Sequence, residues 1–130
     1  MEKFQNDKIY DMDIPLLHTF GAEIVRIEER RAVIKMASRP EFADTAGGLN
    51  GTIIASAANL AALVAVKALR INALNVEAAI HFFSPVYLGS ELLLQSQVVH
   101  IGGKLIYTEV YVMNGEFLVA KGNATFFIVS

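Results

Sequence analysis

The pattern of hydrophobic and polar positions divides the chain into two strand-like segments, one long apolar segment and a strand-rich C-terminal part. Residues 22–27 and 31–37 are predicted β-strands, separated by the charged residues 28–30. Residues 38–48 contain one proline and two glycines and follow no clear period, which indicates a loop. The chain up to residue 48 therefore predicts two strands followed by a loop.

The long apolar segment runs from residue 49 or 50 to residue 69 or 70, is rich in Ala and Leu, and contains no proline. This composition predicts a long helix, with Lys67 and Arg70 near the negative end of its dipole. A helix that is apolar nearly all round cannot face water, so we expect it to be buried. Its most apolar part, 53–66, is shorter than the roughly 17–25 residues of a membrane span, so no membrane association is expected.

Four more strands are predicted after residue 72, and Gly102-Gly103 and Asn114-Gly115 are hairpin signals between them. These strands cover residues 75–83, 91–101, 105–113 and 117–129. The predicted fold class is α+β, with an antiparallel sheet of five to six strands wrapped around one long buried helix. One curved sheet cannot cover such a helix on every side, so we also expect the chain to associate with itself.

Length and composition predict a single domain over residues 1–130, in which residues 1–19 form an N-terminal extension with a short helix beginning at Pro15. Hydrophobic residues make up 54% of the chain, which excludes a disordered chain. The net charge of −2 gives no basic surface, so a nucleic-acid partner is not expected.

The chain has no Cys, and its first residues lack the apolar core of a signal peptide, so a cytoplasmic location is expected. The three histidines, His18, His81 and His100, follow no metal-ligand spacing. We therefore expect neither a metal site nor a cofactor.

Two asparagines on the long helix are candidate site residues. Asn50 precedes Asn59 by nine residues, which is about half a turn of difference in direction at about 100° per residue. If both serve one site, that site must lie between two copies of the chain, and a two-fold dimer would contain two such sites. The alternatives are an N-cap role for Asn50 and a role for Asn59 in fixing the dimer register.

The start of the same helix is a candidate binding site for a carbonyl oxygen. The first backbone N–H groups of a helix lack partners, and the dipole is positive there. Gly51 lies in this first turn, where the missing Cβ lets a ligand approach the N–H groups closely. A negative charge that develops on a carbonyl oxygen would be stabilised at this position.

Three motifs resemble the hotdog-fold acyl-CoA thioesterases of the phenylacetate-pathway and human thioesterase-superfamily type. They are Ser84-Pro85-Val86-Tyr87-Leu88-Gly89, Gly103-Lys104 and Gly115-Glu116-Phe117-Leu118-Val119-Ala120, and the resemblance covers about 20–129. The family begins its helix with His-Gly-Gly, six residues after an Asn, and carries an Asp or Glu nine residues after the His. The resemblance implies a hotdog fold, thioester hydrolysis and a site at a dimer interface.

The chain departs from the chemistry of that family at four places. Asn50-Gly51-Thr52 replaces His-Gly-Gly, Asn59 replaces the carboxylate, and Asp44 replaces the loop Asn. Asn75 lies ten residues before Pro85, where the family often has Ser or Thr. Asparagine has no titratable group near neutral pH, so Asn59 cannot act as a general base.

Two interpretations follow for the site. In the first, the chain is a thioesterase in which Gly51 polarises the thioester carbonyl, Asp44 activates water, and four residues bind substrate: Asn50, Thr52, Asn59 and Asn75. In the second, hydrolysis is lost and the chain binds acyl-CoA without cleaving it. The expected partners are an acyl-CoA or acyl-carrier thioester and further copies of the chain, as a homodimer or homotetramer. The structural alternatives are a solvated loop carboxylate for Asp44 and a polar strand-end residue for Asn75. A structural dimer with a vestigial cleft is a third interpretation.

Overall fold

A six-stranded antiparallel sheet dominates the computed structural model, which describes residues 4–5, 8–9 and 12–129. Its strands are β4 (Ala22–Glu28), β5 (Arg31–Ala37), β6 (Ala73–Phe82), β7 (Glu91–Gly102), β8 (Leu105–Asn114) and β9 (Phe117–Ile128). The order across the sheet is β4-β5-β7-β8-β9-β6, so β4 and β6 are its two edges. The predicted α+β class, with six strands around one long helix, is confirmed.

The N-terminal extension contains a separate sheet of three two-residue strands, followed by a short helix. These are β1 (Phe4–Gln5), β2 (Lys8–Ile9), β3 (Met12–Asp13) and α1 (Pro15–Phe20). The short helix that was predicted from Pro15 is present, and Gly21 ends it in the left-handed conformation with φ 65°. The rest of the predicted extension (1–3, 6–7 and 10–11) lies outside the described residues.

The long helix α2 (Gly51–Lys67) lies against the inner face of the sheet and forms the centre of the core. Nine of its residues are buried: Ile54, Ala57, Ala58, Leu60, Ala61, Ala62, Val64, Ala65 and Val66. The helix ends a little earlier than predicted, because Ala68 caps it and Arg70 adopts a positive φ of 59°. Within the described residues, no helix is long and apolar enough to span a membrane.

Small residues face each other where β9 packs on α2. Gly122 on β9 is buried, and a Cβ there would lie 3.1 Å from the Ala79 carbonyl oxygen and 3.8 Å from the Ala58 Cβ. On the other side of the sheet centre, Ser96 on β7 donates a hydrogen bond to the Ala61 carbonyl at 2.7 Å. Polar and steric contacts therefore both fix the position of the helix on the sheet.

The two predicted hairpins are confirmed by the strand register. Gly102 pairs with Leu105 at the β7–β8 turn, and Asn114 pairs with Phe117 at the β8–β9 turn. Gly115 is the first loop residue of the second turn and has a φ of 61°, which suits the twist of a two-residue hairpin. The loop predicted at 38–48 also contains a short 3₁₀ helix (Pro40–Phe42), which the sequence pattern did not predict.

Candidate functional site

The start of α2 exposes one unpaired backbone donor. Asn50 is the N-cap, and its Oδ1 accepts a hydrogen bond from the Thr52 N–H at 2.9 Å. Its carbonyl oxygen accepts from the Ile53 and Ile54 N–H groups at 3.0 and 3.2 Å. In the part of the chain that the structure describes, the Gly51 N–H has no hydrogen-bond partner. The N-cap role, which was the alternative for Asn50, is therefore present. This cap leaves the Gly51 N–H as the free donor of the turn.

Gly51 lines an open cleft of about 390 Å³, which we call the helix-start cleft. The cleft is lined by Asp44, Gly48, Leu49, Gly51, Ile54, Phe82, Phe83, Ser84, Pro85 and Val86. Its volume is within the range of small-molecule sites in proteins. Asp44 is the one ionisable side chain among these lining residues. The structure thus brings together Asp44 and Gly51, the two residues predicted to be catalytic.

Asp44 is held in place by its own loop. Its Oδ1 accepts hydrogen bonds from the Ala46 and Gly48 N–H groups, both at 2.8 Å. Its backbone N–H donates to the Gly48 carbonyl at 2.8 Å, and Leu49 bonds to Val86 across the cleft rim. The second carboxylate oxygen, Oδ2, has no hydrogen bond among the described residues. Asp44 therefore shapes the loop with one oxygen and leaves the other available to a ligand.

Asn59, in the middle of α2, and Asn75, on β6, form a second site. The Asn59 Nδ2 donates to the Asn75 Oδ1 at 2.8 Å. Asn59 lines a pocket of about 100 Å³, which we call the alanine pocket. The pocket is lined by Ala55, Ala58, Asn59, Ala78, Ala79, Ile80, Val110, Gly122, Asn123 and Ala124. The contact between the two amides was not predicted, although both residues were candidates.

The helix-start cleft and the alanine pocket are separate within one copy of the chain. Gly51 and Asn59 are eight residues apart, which corresponds to about 12 Å along a helix. The two sites have no lining residue in common. The six candidate residues are thus divided between the helix start, with Asp44 in the preceding loop, and the Asn59–Asn75 pair. Thr52 is exposed, and its N–H is used by the cap.

Phe82 is a residue of the cleft that was not singled out from the sequence. It is the last residue of β6 and half exposed, and its ring lies beside Gly51. An apolar residue at the end of a strand carries no signal of its own, because only the fold places it against the helix start. Among the described residues, no cluster of His, Asp or Glu has the arrangement of a metal site.

The comparisons with known proteins agree with this architecture. The family model for the thioesterase superfamily matches residues 46–120, which include all of α2 and the strands β6, β7 and β8. The chain belongs to the thioesterase superfamily. A comparison with curated proteins gave no match.

Solved structures with the same fold come from several bacteria. A mutant of the phenylacetic acid degradation protein PaaI from Thermus thermophilus has a TM-score of 0.83 at 21% identity, over 88% of this chain and 98% of that one. The PaaI protein from the E. coli phenylacetic acid degradation operon has a TM-score of 0.85 at 20% identity, over 90% and 86%. At these identities the likeness establishes the fold, and the predicted hotdog fold is confirmed.

A third structure with this fold was determined with a ligand. The hypothetical thioesterase from Streptococcus pneumoniae TIGR4, whose structure is described with coenzyme A, has a TM-score of 0.80 at 18% identity. The alignment covers 84% of this chain and 89% of that protein.

Proposed function

We propose that the protein is a thioesterase that hydrolyses an acyl-CoA or acyl-carrier thioester at a site shared by two copies of the chain. The observation that carries the proposal is the free Gly51 N–H in a cleft whose one ionisable side chain is Asp44. Membership of the thioesterase superfamily supports the reaction class. The coenzyme A in the description of the Streptococcus pneumoniae protein supports a CoA ester as substrate.

Gly51 is the proposed oxyanion donor. Its N–H is the donor at the positive end of α2 that the cap leaves free, and it would hydrogen-bond the thioester carbonyl oxygen as negative charge develops there. Removal of a single donor of this kind from other enzymes costs about 2.7–4 kcal/mol of transition-state stabilisation. The donor belongs to the backbone, so it does not depend on the His that the family has before its first glycine.

Asp44 is the proposed general base. Its free Oδ2 accepts a proton from a water molecule as the water oxygen bonds to the carbonyl carbon. The C–S bond then breaks, the acid is released, and the proton passes to the leaving thiolate. The proposed substrate-binding residues are Asn50 and Thr52 at the helix start, Asn59 in the alanine pocket, and Asn75, which contacts Asn59. Water and the thioester suffice for this reaction, so no cofactor is included in the proposal.

The exposed edge of β6 supports the association of two copies. Leu74, Val76, Phe82 and Phe83 on or next to this ten-residue strand are between 49% and 61% exposed. A long apolar edge strand is a site for pairing with another chain unless something covers it. A second copy that pairs through its own β6 would cover it and extend the sheet. The proposed assembly is a homodimer, or a homotetramer built from two such dimers.

Antiparallel pairing of two β6 strands also explains why the candidate residues are divided. Phe82, which lines the helix-start cleft, is at the end of β6, and Asn75, which contacts Asn59, is near its beginning. Antiparallel strands that meet about a two-fold axis place the end of one next to the beginning of the other. The cleft of one copy then adjoins the alanine pocket of the other, so that the two halves form one site.

A non-catalytic acyl-CoA-binding protein is the second candidate function. Two observations favour it. Asn59 stands where the hotdog-fold acyl-CoA thioesterases that the sequence resembles have a carboxylate, and the Asp44 Oδ1 already accepts hydrogen bonds from two backbone N–H groups of its own loop. In this case the helix-start cleft binds the thioester carbonyl without activating water. For either function we propose a cytoplasmic location.

Steady-state hydrolysis of a panel of acyl-CoA esters, read by release of free thiol, tests the proposal. The same esters are used in thermal unfolding, because a ligand that binds only the folded state raises the apparent stability. Turnover together with stabilisation supports the thioesterase. Stabilisation without turnover, for both CoA and carrier-protein esters, overturns it in favour of the binding protein. The absence of both effects contradicts both functions.

A further inference from the structure

The amide of Asn59 is oriented by a short series of hydrogen bonds that begins at two backbone carbonyls. The Asn75 Nδ2 donates to the Glu77 carbonyl at 3.1 Å and to the Thr125 carbonyl at 3.2 Å. An amide nitrogen only donates, so these two bonds define which way the Asn75 amide faces and place its Oδ1 toward Asn59. The Asn59 Nδ2 donates to that oxygen at 2.8 Å. The orientation of Asn59 thus follows from the backbone of β6 and β9.

The consequence is a buried acceptor with no donor. The Asn59 Oδ1 has almost no solvent-accessible surface and no hydrogen-bond partner among the described residues. Buried polar atoms in proteins are nearly always paired, and those that are not require an explanation. Asn59 lines the alanine pocket, whose other lining side chains are apolar except for that of Asn123. The pocket therefore combines small apolar walls with an unsatisfied amide oxygen.

We propose that Asn75 is a positioning residue, which orients Asn59 so that the Asn59 Oδ1 is a hydrogen-bond acceptor for a ligand. This ligand presents a neutral N–H or O–H donor to that oxygen. Because an amide oxygen does not titrate near neutral pH, this acceptor stays the same across the physiological range. The donor is an amide of the thioester substrate or the attacking water, and this identity alone rests on the proposed function. The orientation of Asn59 is independent of the proposed function.

A carboxyl group at position 59 would place an acceptor, not a donor, against the Asn75 Oδ1. Asn59→Asp places an oxygen where the Nδ2 now donates, 2.8 Å from the Asn75 Oδ1. Asn75 cannot turn its nitrogen toward the carboxyl without leaving both carbonyls. The introduced carboxyl can make this hydrogen bond only while it keeps its proton, so its pKa rises. A serine at position 75 has a hydroxyl that can donate to the charged form, so Asn75→Ser reverses this effect.

Other ionisable groups around Asn59 are few and are shared by all variants of the test. The one ionisable residue of α2 is Lys67, at the C-terminal end of the helix. No ionisable residue lines the alanine pocket. On β6, Glu77 is exposed, and its negative charge would raise the pKa of an introduced carboxyl further. On β8 and β9, Glu109 and Lys121 are paired with each other at 3.9 Å. The charges are the same in Asn59→Asp with and without Asn75→Ser. The difference in pH dependence between these two variants therefore measures the effect of the hydrogen bond at position 75.

The test measures the unfolding of four proteins in urea between pH 5 and pH 8, at one protein concentration. They are the wild type, Asn59→Asp, Asn59→Asp with Asn75→Ser, and Asn50→Asp. In Asn59→Asp the folded state binds a proton more tightly than the unfolded chain, so stability is lost as the pH rises above about 4. We expect its unfolding equilibrium constant, relative to the wild type, to rise by up to about tenfold per pH unit until the raised pKa is reached.

The double variant and Asn50→Asp serve as matched comparisons. In the double variant we expect most of the pH dependence to disappear. Asn50→Asp makes the same chemical change at the N-cap, where the Thr52 N–H and the helix dipole favour the charge and lower the pKa. Its relative stability is therefore lost only below about pH 4, and it stays constant from pH 5 to pH 8.

Two results would overturn the proposal. One is an Asn59→Asp variant whose relative stability does not change between pH 5 and pH 8, as for Asn50→Asp. The other is a double variant that keeps the full pH dependence of Asn59→Asp. If Asn59→Asp folds only at the acidic end of the range, recovery of folding at pH 7 in the double variant supports the proposal, and continued failure there contradicts it. No substrate is used, so failure of the proposed function leaves this test intact.

Discussion

The ring of Phe82 lies against the first residue of α2, so that a Cβ at Gly51 would be 3.4 Å from the Phe82 Cζ. That distance corresponds to ordinary van der Waals contact, and Phe82 is half exposed. The glycine is therefore not required by the packing of the folded chain. Its free N–H in the helix-start cleft is the proposed oxyanion donor.

Gly51→Ala should separate stability from activity. Alanine is the better helix former, so the free energy of unfolding should stay the same or rise by up to about 1 kcal/mol. The added Cβ occupies the space beside the N–H, so kcat for thioester hydrolysis should fall. In Phe82→Ala the N–H is untouched and only an apolar contact is lost, so KM should rise with kcat retained. Equal kcat values for Gly51→Ala and the wild type would contradict the assignment of the oxyanion donor.

Asp44→Asn tests the general base with little change to the loop. The amide oxygen of the new side chain can still accept from the Ala46 and Gly48 N–H groups, so stability should change by less than about 0.5 kcal/mol. Loss of the base should lower kcat by roughly 10²–10⁴-fold.

Asp44→Ala and Glu41→Gln are the comparisons for that prediction. Asp44→Ala removes both loop hydrogen bonds and should lose stability as well as activity. Glu41→Gln removes an exposed charge of the same loop that does not line the cleft, and should change neither. An Asp44→Asn variant with wild-type turnover would show that another group activates water.

Val76→Lys should disrupt the pairing of copies. Val76 is 58% exposed on the edge strand β6, and a lysine there opposes edge-to-edge pairing through charge and desolvation. Sedimentation should give twice the chain mass of 14.2 kDa, or a multiple of it, for the wild type, and a shift toward 14.2 kDa for the variant. Val25→Lys, on the opposite edge β4 and 44% exposed, should keep the wild-type mass. A monomeric wild type would exclude the shared site.

Ser96→Ala should lower stability without affecting the site. The Ser96 hydroxyl is buried and donates to the Ala61 carbonyl at 2.7 Å, which ties β7 to the middle of α2. Its loss should cost about 1 kcal/mol of unfolding free energy in urea denaturation. Ser56→Ala, on the same helix but exposed, should change stability by less than about 0.5 kcal/mol. Similar losses in both variants would show that the buried hydrogen bond makes no specific contribution.

The elements of the fold could be predicted from the sequence because local patterns determine them. The uninterrupted apolar segment defines α2, and the glycine-containing turns define the β7–β8 and β8–β9 hairpins within one or two residues. These features depend on neighbours in sequence and not on the completed fold.

The contact between Asn59 and Asn75 could not be predicted in the same way. Simple alternation along β6 puts Asn75 on the face opposite to Ala78 and Ile80. A bulge between Asn75 and Glu77 adds one residue, so that Asn75 pairs with the buried Phe126 and lies on the inner face. The sequence contains no clear signal for that bulge. Similarly, the hydrogen bonds of Asp44 depend on the path of the whole loop.

A mixing experiment tests the central claim, a site formed by two copies, most directly. Asn59→Leu removes the amide from the alanine pocket with a side chain of similar size, and Asp44→Asn removes the proposed base from the helix-start cleft. Each variant alone should show greatly reduced hydrolysis of an acyl-CoA ester. When equal amounts are unfolded and refolded together, half of the dimers are mixed and each contains one intact site, so about a quarter of wild-type activity should return. A refolded mixture no more active than the two variants measured separately would contradict the account.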